Sequence, residues 1–383
     1  MPPSSVPGPS PFPRPRVVVS RCITFEAVRY DGSMIPSGIV ERMKPFVEFI
    51  PVCPEVGIGL PVPRDPIRIV RTGEVDRLIQ PATGRDLTER MEKFAREFLD
   101  GLPPVDGFIL KYKSPSSGKS GAKVYASAEK SSPVGQAPGF FGRAVLNRFG
   151  RFPIEDEGRL RNGRIRDHFL TAIFTLARFR GAKEGGKFRD LVRFHTVNKL
   201  LLMAASERAM RAMGKLVANR EGRGPQEVFA LYEDLLLSAL RRPPRFTANI
   251  NILAHAEGYF KDRLTKREKE FFEATLRRYR EGLSPVSEPK NLVLSWIARS
   301  GEPNLAKQGF GEPNLGNPRF WVQNRGKPRF GDSYLEDPRF WVQNLGEPRF
   351  GKPNLGDQTY FSPYPEELVL PEGEAADSEK ECW

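Results

Sequence analysis

Three short segments place reactive side chains directly after apolar runs. Cys22 follows VVVS, Cys53 follows EFIPV, and Ser114 follows GFILKYK. Such runs are typical of buried β-strands, and the carboxyl ends of strands in an open α/β sheet form the usual binding crevice. If the three strands are neighbours, the pattern predicts that Cys22, Cys53, Glu55, Ser114 and Ser117 share one site.

The cysteines admit two interpretations. Thiolates bind soft metal ions and iron–sulfur clusters, whereas buried cysteines often serve only as small apolar residues. The chain has three cysteines, Cys22, Cys53 and Cys382, which is not the even and closely spaced set of a disulfide framework. This favours a reducing compartment, and we expect a cytoplasmic protein.

Residues 17–148 have an α/β pattern. Apolar, β-branched runs alternate with one strongly helical stretch, in which Asp86 is expected to cap the helix and Glu89 to complete a capping box. Gly, Ser and Pro are frequent in residues 119–139, which we expect to form a loop. The pattern predicts an α/β domain with a mostly parallel sheet.

From Pro153 to Arg299 the pattern becomes helical. About six segments carry apolar residues at three- to four-residue spacing, with Gly and Pro between them. Residues 149–300 are therefore predicted to form an all-α domain. His195, Lys199 and His255 lie there, but scattered histidines are more typical of buried or partner-facing residues than of a metal site.

Residues 301–360 form twelve five-residue units, in which PRFWVQN recurs at Pro318 and Pro338. A pentapeptide-repeat β-helix is one interpretation, but its prolines occupy positions where such a coil needs a backbone N–H. We predict a disordered insertion with exposed aromatic residues. Residues 1–16 and 371–383 are predicted to be tails, and residues 361–370 to complete the helical domain.

Positive charge is concentrated in the helical part. The formal net charge is +13, and residues 141–300 carry essentially the whole excess. A basic domain suggests an anionic partner such as RNA, although charges of both signs at helical spacing are also typical of a solvated surface. The chain lacks an apolar run of about eighteen residues, so we expect no transmembrane helix.

Several long segments resemble a known family. VSRCITFEAVRYDG, FIPVCPEVGIGLPVPRDPIRIV, TGRDLT and GFILKYKSPSSG are similar to the thiouracil desulfidase (TudS) family, an α/β domain found alone or fused to a YbgA-like helical domain. EDEGRLRNGRIRDHFL, LVRFHTVNKLLLMA, RFTANINILAHAEGYF and FSPYPEEL resemble that helical domain, to which the resemblance assigns no activity. Apart from the repeat, the likeness covers residues 17–370.

The resemblance implies hydrolytic removal of sulfur from 2-thiouracil-type bases at a [4Fe–4S] cluster. Three cysteines hold this cluster, and its fourth iron binds the sulfur of the substrate. Cys22 and Cys53 match the first two cysteines. Glu55 matches a carboxylate that activates or orients water, and Ser114 matches a serine that positions the substrate or a proton. The implied substrate is a thiolated pyrimidine base or nucleotide.

Ser117 departs from the family pattern, because it stands in the loop SPSSG where the family has its third cysteine. A serine hydroxyl is a hard and poor cluster ligand. Three outcomes stay open: a site without a cluster, a labile cluster completed by Ser117, the substrate or a small thiol, or recruitment of Cys382. Loss or severe weakening of the cluster is the expected outcome. The alternative to an impaired desulfidase is a non-enzymatic binding protein whose basic helical domain contacts RNA or a protein.

Four further residues lie in the matching motifs. Arg29, Tyr30, Asp31 and Arg64 are predicted to contact the base or its ribose. Arginine–aspartate pairs that fix loops are the structural alternative.

Overall fold

The computed structural model describes residues 12–129, 131–300 and 357–369. The chain divides into two compact units, one with the residues through Gly181 and from Pro363 on, the other with Ala182–Ser362. In sequence, the second unit is therefore inserted into the first. Cys382 and most residues of the predicted repeat and tails lie outside the described residues. The domain ranges predicted from the sequence remain predictions.

The described residues form nine strands and eleven α-helices. The strands are Arg16–Ser20 (β1), Glu48–Val52 (β2), Arg68–Thr72 (β3), Val75–Gln80 (β4), Arg85–Asp86 (β5), Gly107–Leu110 (β6), Ala122–Tyr125 (β7), Pro133–Ala137 (β8) and Ile154–Asp156 (β9). The helices are Gly38–Met43 (α1), Pro54–Gly57 (α2), Thr88–Asp100 (α3), Phe140–Phe149 (α4), Gly163–Gly185 (α5), Phe188–Val197 (α6), Lys199–Ala218 (α7), Pro225–Ala239 (α8), Phe246–Gly258 (α9), Lys266–Arg280 (α10) and Ser287–Arg299 (α11). All strands of this set lie in the first unit, and α6 to α11 lie in the second.

A parallel sheet in the order β2–β1–β6–β9 forms the centre of the first unit and confirms the predicted α/β class. Val18 and Phe108 enter one core cluster together with α3 and α4, whereas Val17, Val19 and Ile109 enter another together with α1 and α5. Because both faces of the sheet are covered, its central strands β1 and β6 are apolar at consecutive positions rather than at alternate ones.

The end of the described chain completes the second of these clusters. Tyr364 and Leu368 are buried in it. The Tyr364 hydroxyl donates a hydrogen bond to Asp167 (2.6 Å), and the Arg178 guanidinium donates one to the Pro363 carbonyl (2.7 Å). Residues that follow the inserted unit thus stabilise α5 within the first unit.

Two secondary-structure predictions for the first unit are wrong. Residues 119–139 were expected to be a loop, but β7 and β8 pair there in a second, mixed sheet of order β5–β4–β3–β7–β8. Ala122 and Val124 are fully buried, so the two-residue alternation of a strand is present within the polar composition. Ile154–Asp156 was expected to be helical, but this three-residue strand pairs in parallel with β6.

The predicted start of α3 is displaced. The helix begins at Thr88 with Leu87 at the N-cap, and it has no side-chain capping bond. Asp86 lies in β5, and its carboxylate accepts the Thr88 N–H (2.9 Å). The expected capping box with Glu89 is therefore wrong, although Asp86 does satisfy one free N–H group of the first turn.

The second unit consists of helices, as predicted, with different breaks. Two breaks lie at polar residues rather than at Gly or Pro. One separates α6 from α7 at Asn198, whose side-chain amide donates to the Phe194 carbonyl (2.8 Å). The other is a kink inside α7 at Ser206, whose hydroxyl accepts the Ala209 N–H (3.3 Å). None of the helices in the described residues is long and apolar enough to span a membrane. Cytoplasmic location stays a prediction.

Candidate functional site

The carboxyl ends of β1, β2 and β6 open into one cavity of about 260 Å³. β1 lies between β2 and β6 in the sheet, so the loops that follow these three strands start side by side. This is the position at which open α/β sheets bind ligands. The structure brings together all five residues that the sequence pattern placed in one site, which are Cys22, Cys53, Glu55, Ser114 and Ser117.

The two thiols line this cavity and are partly buried. Burial, together with the nearby Cys53, raises the pKa of Cys22 to about 12, while Lys111 opposes the shift. Burial also raises the pKa of the Cys53 thiol, against the N–H of Val56, which lowers it. Both cysteines are free and protonated at neutral pH in the absence of a bound cation.

Glu55 is held at both carboxylate oxygens. Arg64 donates from Nε to Oε2 (2.7 Å), and the Ser116 hydroxyl donates to Oε1 (2.7 Å). The Arg64 side chain is only 3% exposed and also donates to the Val28 carbonyl (2.9 Å). Arg64 therefore ties together the loops that follow β1 and β2, in addition to lining the cavity.

A tight turn at Ser114–Gly118 presents Ser117 to the cavity. The Ser114 hydroxyl accepts the N–H groups of Ser116 (3.3 Å) and Ser117 (3.1 Å), and the Gly118 N–H reaches the Ser114 carbonyl (2.9 Å). Ser117 itself is only 4% exposed. The turn is thus built on Ser114, the serine that was predicted to position the substrate or a proton.

The start of α4 clamps this turn through backbone hydrogen bonds. The N–H of Gly139 donates to Gly118 (2.8 Å), and the N–H of Phe141 donates to Ser116 (2.8 Å). A Cβ atom on Gly142 would lie 2.2 Å from the Gly118 carbonyl oxygen. Only glycine permits this close approach, so the position of the Ser114–Gly118 turn is fixed by packing.

Three of the four residues predicted to contact the base or ribose line the cavity. Arg29 and Tyr30 line the cavity, whereas Asp31 is not among its lining residues. Asp31 accepts hydrogen bonds from Ser33, which lower the pKa of its carboxyl group, and pairs with Arg29 (3.3 Å). Asp31 thus orders the loop, as in the structural alternative.

Sequence reasoning missed two features of the site. One is Ser116, which is 1% exposed and contacts Glu55 directly. Nothing in its type or spacing distinguishes it from the serines on either side. The other is a group of cavity-lining cations besides Arg29 and Arg64, namely Arg21, Lys111 and Lys113. The apolar run GFIL before Lys111 and Lys113 could have indicated that both lysines follow the end of a strand.

The side chains that line the cavity do not fit a cluster held by three cysteines. The cavity offers two thiols, and the third position of the expected set is the Ser117 hydroxyl. Within residues 12–129, 131–300 and 357–369, no group of three or more His, Cys, Asp or Glu side chains is placed to hold a metal ion. A hard, protonated hydroxyl is a weak replacement for a thiolate at iron.

Known proteins resemble the two parts of the chain separately. Residues 17–157 match the family model described as 2-thiouracil desulfurase, and residues 199–314 match the one described as a protein of unknown function (DUF1722). The uncharacterized protein YbgA of Escherichia coli (strain K12) is 26% identical over 151 residues, which are 39% of this chain and 89% of that protein.

A solved structure of a [4Fe–4S]-dependent thiouracil desulfidase, TudS, is 28% identical to this chain. The match covers 38% of this chain and 93% of that one, with a TM-score of 0.30. The two family matches confirm the predicted fusion. The chain therefore joins a domain of the 2-thiouracil desulfurase family to a DUF1722 domain of unknown function.

Proposed function

We propose that the cavity binds a thiolated pyrimidine, and that hydrolytic removal of its sulfur is impaired in this chain by Ser117. One observation carries the proposal: a packed turn presents Ser117 to the same cavity as Cys22 and Cys53. The match of residues 17–157 to the 2-thiouracil desulfurase family supports the class of ligand.

The size and polarity of the cavity suit a small heteroaromatic ring. Its volume of about 260 Å³ is below the roughly 300–1,000 Å³ of sites for drug-sized ligands. A carboxylate has about four acceptor positions, of which Ser116 and Arg64 use one each on Glu55. The remaining positions accept a pyrimidine N–H or orient a water molecule.

The cations around the cavity extend this ligand class to nucleotides. Arg21, Arg29, Lys111 and Lys113 line the cavity, and Lys111 pairs with Glu157. A phosphate on a thiolated nucleotide would add charge-assisted hydrogen bonds to this group. Both the free base and its ribonucleoside 5′-monophosphate are therefore ligands to test.

Calorimetric titration with 2-thiouracil and with 2-thiouridine 5′-monophosphate tests the binding part of the proposal, with uracil as the matched ligand that lacks sulfur. We expect saturable binding of a thiolated ligand, weakened at least tenfold by Glu55→Ala. Failure of both thiolated ligands to bind contradicts this part.

Sulfide release after anaerobic reconstitution tests the impairment. We expect the natural chain to release sulfide from 2-thiouracil at less than a tenth of the rate of Ser117→Cys. Equal rates for the two proteins would show that Ser117 does not limit the reaction.

A second candidate function, contact with RNA, is favoured by one exposed group in the helical unit. Arg241, Arg242 and Arg245 are exposed and lie within five residues of the exposed Phe246 in sequence. They make no ion pair within the part of the chain that the structure describes. Cations next to an aromatic side chain suit a single-stranded nucleic acid, whereas an acidic protein surface would use the cations alone.

This candidate predicts RNA affinity that falls with salt. Replacing the three arginines by alanine should weaken binding of a short single-stranded RNA at least tenfold and reduce the salt slope by about 2. Lys266→Ala, which removes a cation near Glu270, is the control and should change affinity less than twofold. Absence of RNA binding by the natural chain contradicts the candidate and leaves a protein partner to be tested.

A further inference from the structure

Three side chains that line the cavity form a continuous row of hydrogen bonds. The Ser116 hydroxyl oxygen lies 2.7 Å from Glu55 Oε1 and 2.9 Å from the Ser114 hydroxyl oxygen. Ser116 is 1% exposed, so water does not replace either contact. Without the Ser116 hydroxyl, hydrogen bonds would therefore no longer link Glu55 to Ser114.

The direction of these hydrogen bonds follows from the chemistry of the groups. An ionised carboxylate only accepts, so Ser116 must donate its single hydroxyl hydrogen to Glu55. Ser116 then can only accept from Ser114, whose hydroxyl hydrogen points toward it. The Ser114 oxygen already accepts the backbone N–H groups of Ser116 and Ser117. Ser114 is thus fully engaged and has no hydrogen to donate into the cavity.

The same row fixes the carboxylate of Glu55 in one orientation. Arg64 holds Oε2 from one side while Ser116 holds Oε1 from the other. The backbone of Ser116 is fixed, because Phe141 and Gly142 donate their N–H groups to its carbonyl. The unused acceptor positions of Glu55 therefore keep a constant direction relative to the cavity.

We propose that Ser116 is a positioning residue that orients Glu55 toward the ligand and withdraws the Ser114 hydroxyl from it. The inference rests on the proposed function, in which the cavity binds a thiolated pyrimidine. It gives Ser114, expected to position the substrate or a proton, an indirect role through Ser116. Glu55 is the residue of this row that contacts the ligand.

A double-mutant cycle with 2-thiouracil as the probe tests this role in the full-length chain. Ser116→Ala and Glu55→Gln should each raise the Kd about tenfold. Because Ser116 acts through Glu55, the Kd of the double variant should lie within twofold of the higher of the two single-variant Kd values. Ser295→Ala, which removes an exposed serine hydroxyl on α11, is the matched control and should leave the Kd unchanged. Independent effects that multiply to about a hundredfold would overturn the inference.

A crystal structure of Ser116→Ala separates failure of this inference from failure of the proposed function. We expect the Glu55 carboxylate to rotate about its terminal bond and the Ser114 hydroxyl to turn to a new acceptor. If both side chains keep their positions, the positioning role is wrong whatever the affinity. If they move but the natural protein binds neither 2-thiouracil nor its nucleotide, the proposed function fails and the role of Ser116 in orienting Glu55 stands.

Discussion

Ser117→Cys changes a single atom of the candidate site and should restore the third thiol. The Ser114–Gly118 turn that carries this residue is held by backbone hydrogen bonds from Gly139 and Phe141, so it does not depend on the identity of the Ser117 side chain. The variant should therefore place a thiol in the same cavity as Cys22 and Cys53.

The expected cost in stability is small. Ser117 is 4% exposed, so the larger sulfur atom must be accommodated in a packed environment. Exchanging oxygen for sulfur adds less volume than a methylene group, and overpacking by a methylene typically costs about 1–3 kcal/mol. We expect the free energy of unfolding of the first unit to fall by about 1 kcal/mol or less. The fold should tolerate the change.

The expected gain is in cluster content. A three-thiolate site should hold about four iron and four sulfide per chain after anaerobic reconstitution, whereas the two thiols of the natural chain should retain less than half of this. Chemical iron and sulfide determinations, with the visible charge-transfer absorbance of the cluster, measure the difference. Ser117→Ala is the matched control for a hydroxyl ligand, and Cys53→Ala in the Ser117→Cys background should abolish the gain.

Two results would refute the reasoning. A natural chain that already holds a full cluster, and loses it in Ser117→Ala, would show that the hydroxyl is an adequate ligand. A Ser117→Cys variant that remains folded but gains no iron would show that the turn does not present residue 117 to the other two thiols in a usable geometry.

Three further variants test the packing that supports these conclusions. Gly142→Ala should displace the turn, because its Cβ would lie 2.2 Å from the Gly118 carbonyl oxygen, and thiouracil titration should show at least a tenfold loss of affinity. Burial lowers the pKa of His195 to about 4, with Lys199 adding to the effect. In the unfolded chain the imidazole of His195 binds a proton near pH 6.5. The free energy of unfolding therefore has its full value above that pH and falls by about 3 kcal/mol as the pH drops to 4. Urea unfolding should show about 2 kcal/mol of this loss between pH 7 and pH 5 in the natural chain, and His195→Gln should reduce it; equal pH dependence of the two proteins contradicts the assignment. Asp106→Ala should cost about 3–5 kcal/mol in urea unfolding, because it leaves the Arg180 guanidinium without its buried carboxylate (3.0 Å); a loss below 1 kcal/mol would show that this pair is not effectively buried.

The sequence was informative about the site wherever apolar runs preceded a reactive residue. Three consecutive valines before Ser20 and the run GFIL made β1 and β6 recognisable, and parallel strand ends converge for topological reasons. This explains why the sequence alone indicates that Cys22, Cys53 and Ser117 lie at one edge of the sheet.

What the sequence did not show depends on side-chain direction and on weak local patterns. Ser116 differs from Ser114 and Ser117 only in where its hydroxyl points, and that direction is set by contacts from α4, more than twenty residues away in sequence. β9 has three residues and pairs only with a distant strand, so its length is too short for a periodic signal.

The interrupted first unit has a consequence for how the protein is made. Tyr364 and Leu368 complete a core cluster that otherwise consists of residues that precede the inserted unit, such as Val17 and Phe174. On the ribosome, the helical unit emerges before these two side chains do. The unit that leads the chain is therefore the last to finish folding, and a nascent chain halted within the insertion leaves the apolar face of α5 incompletely covered.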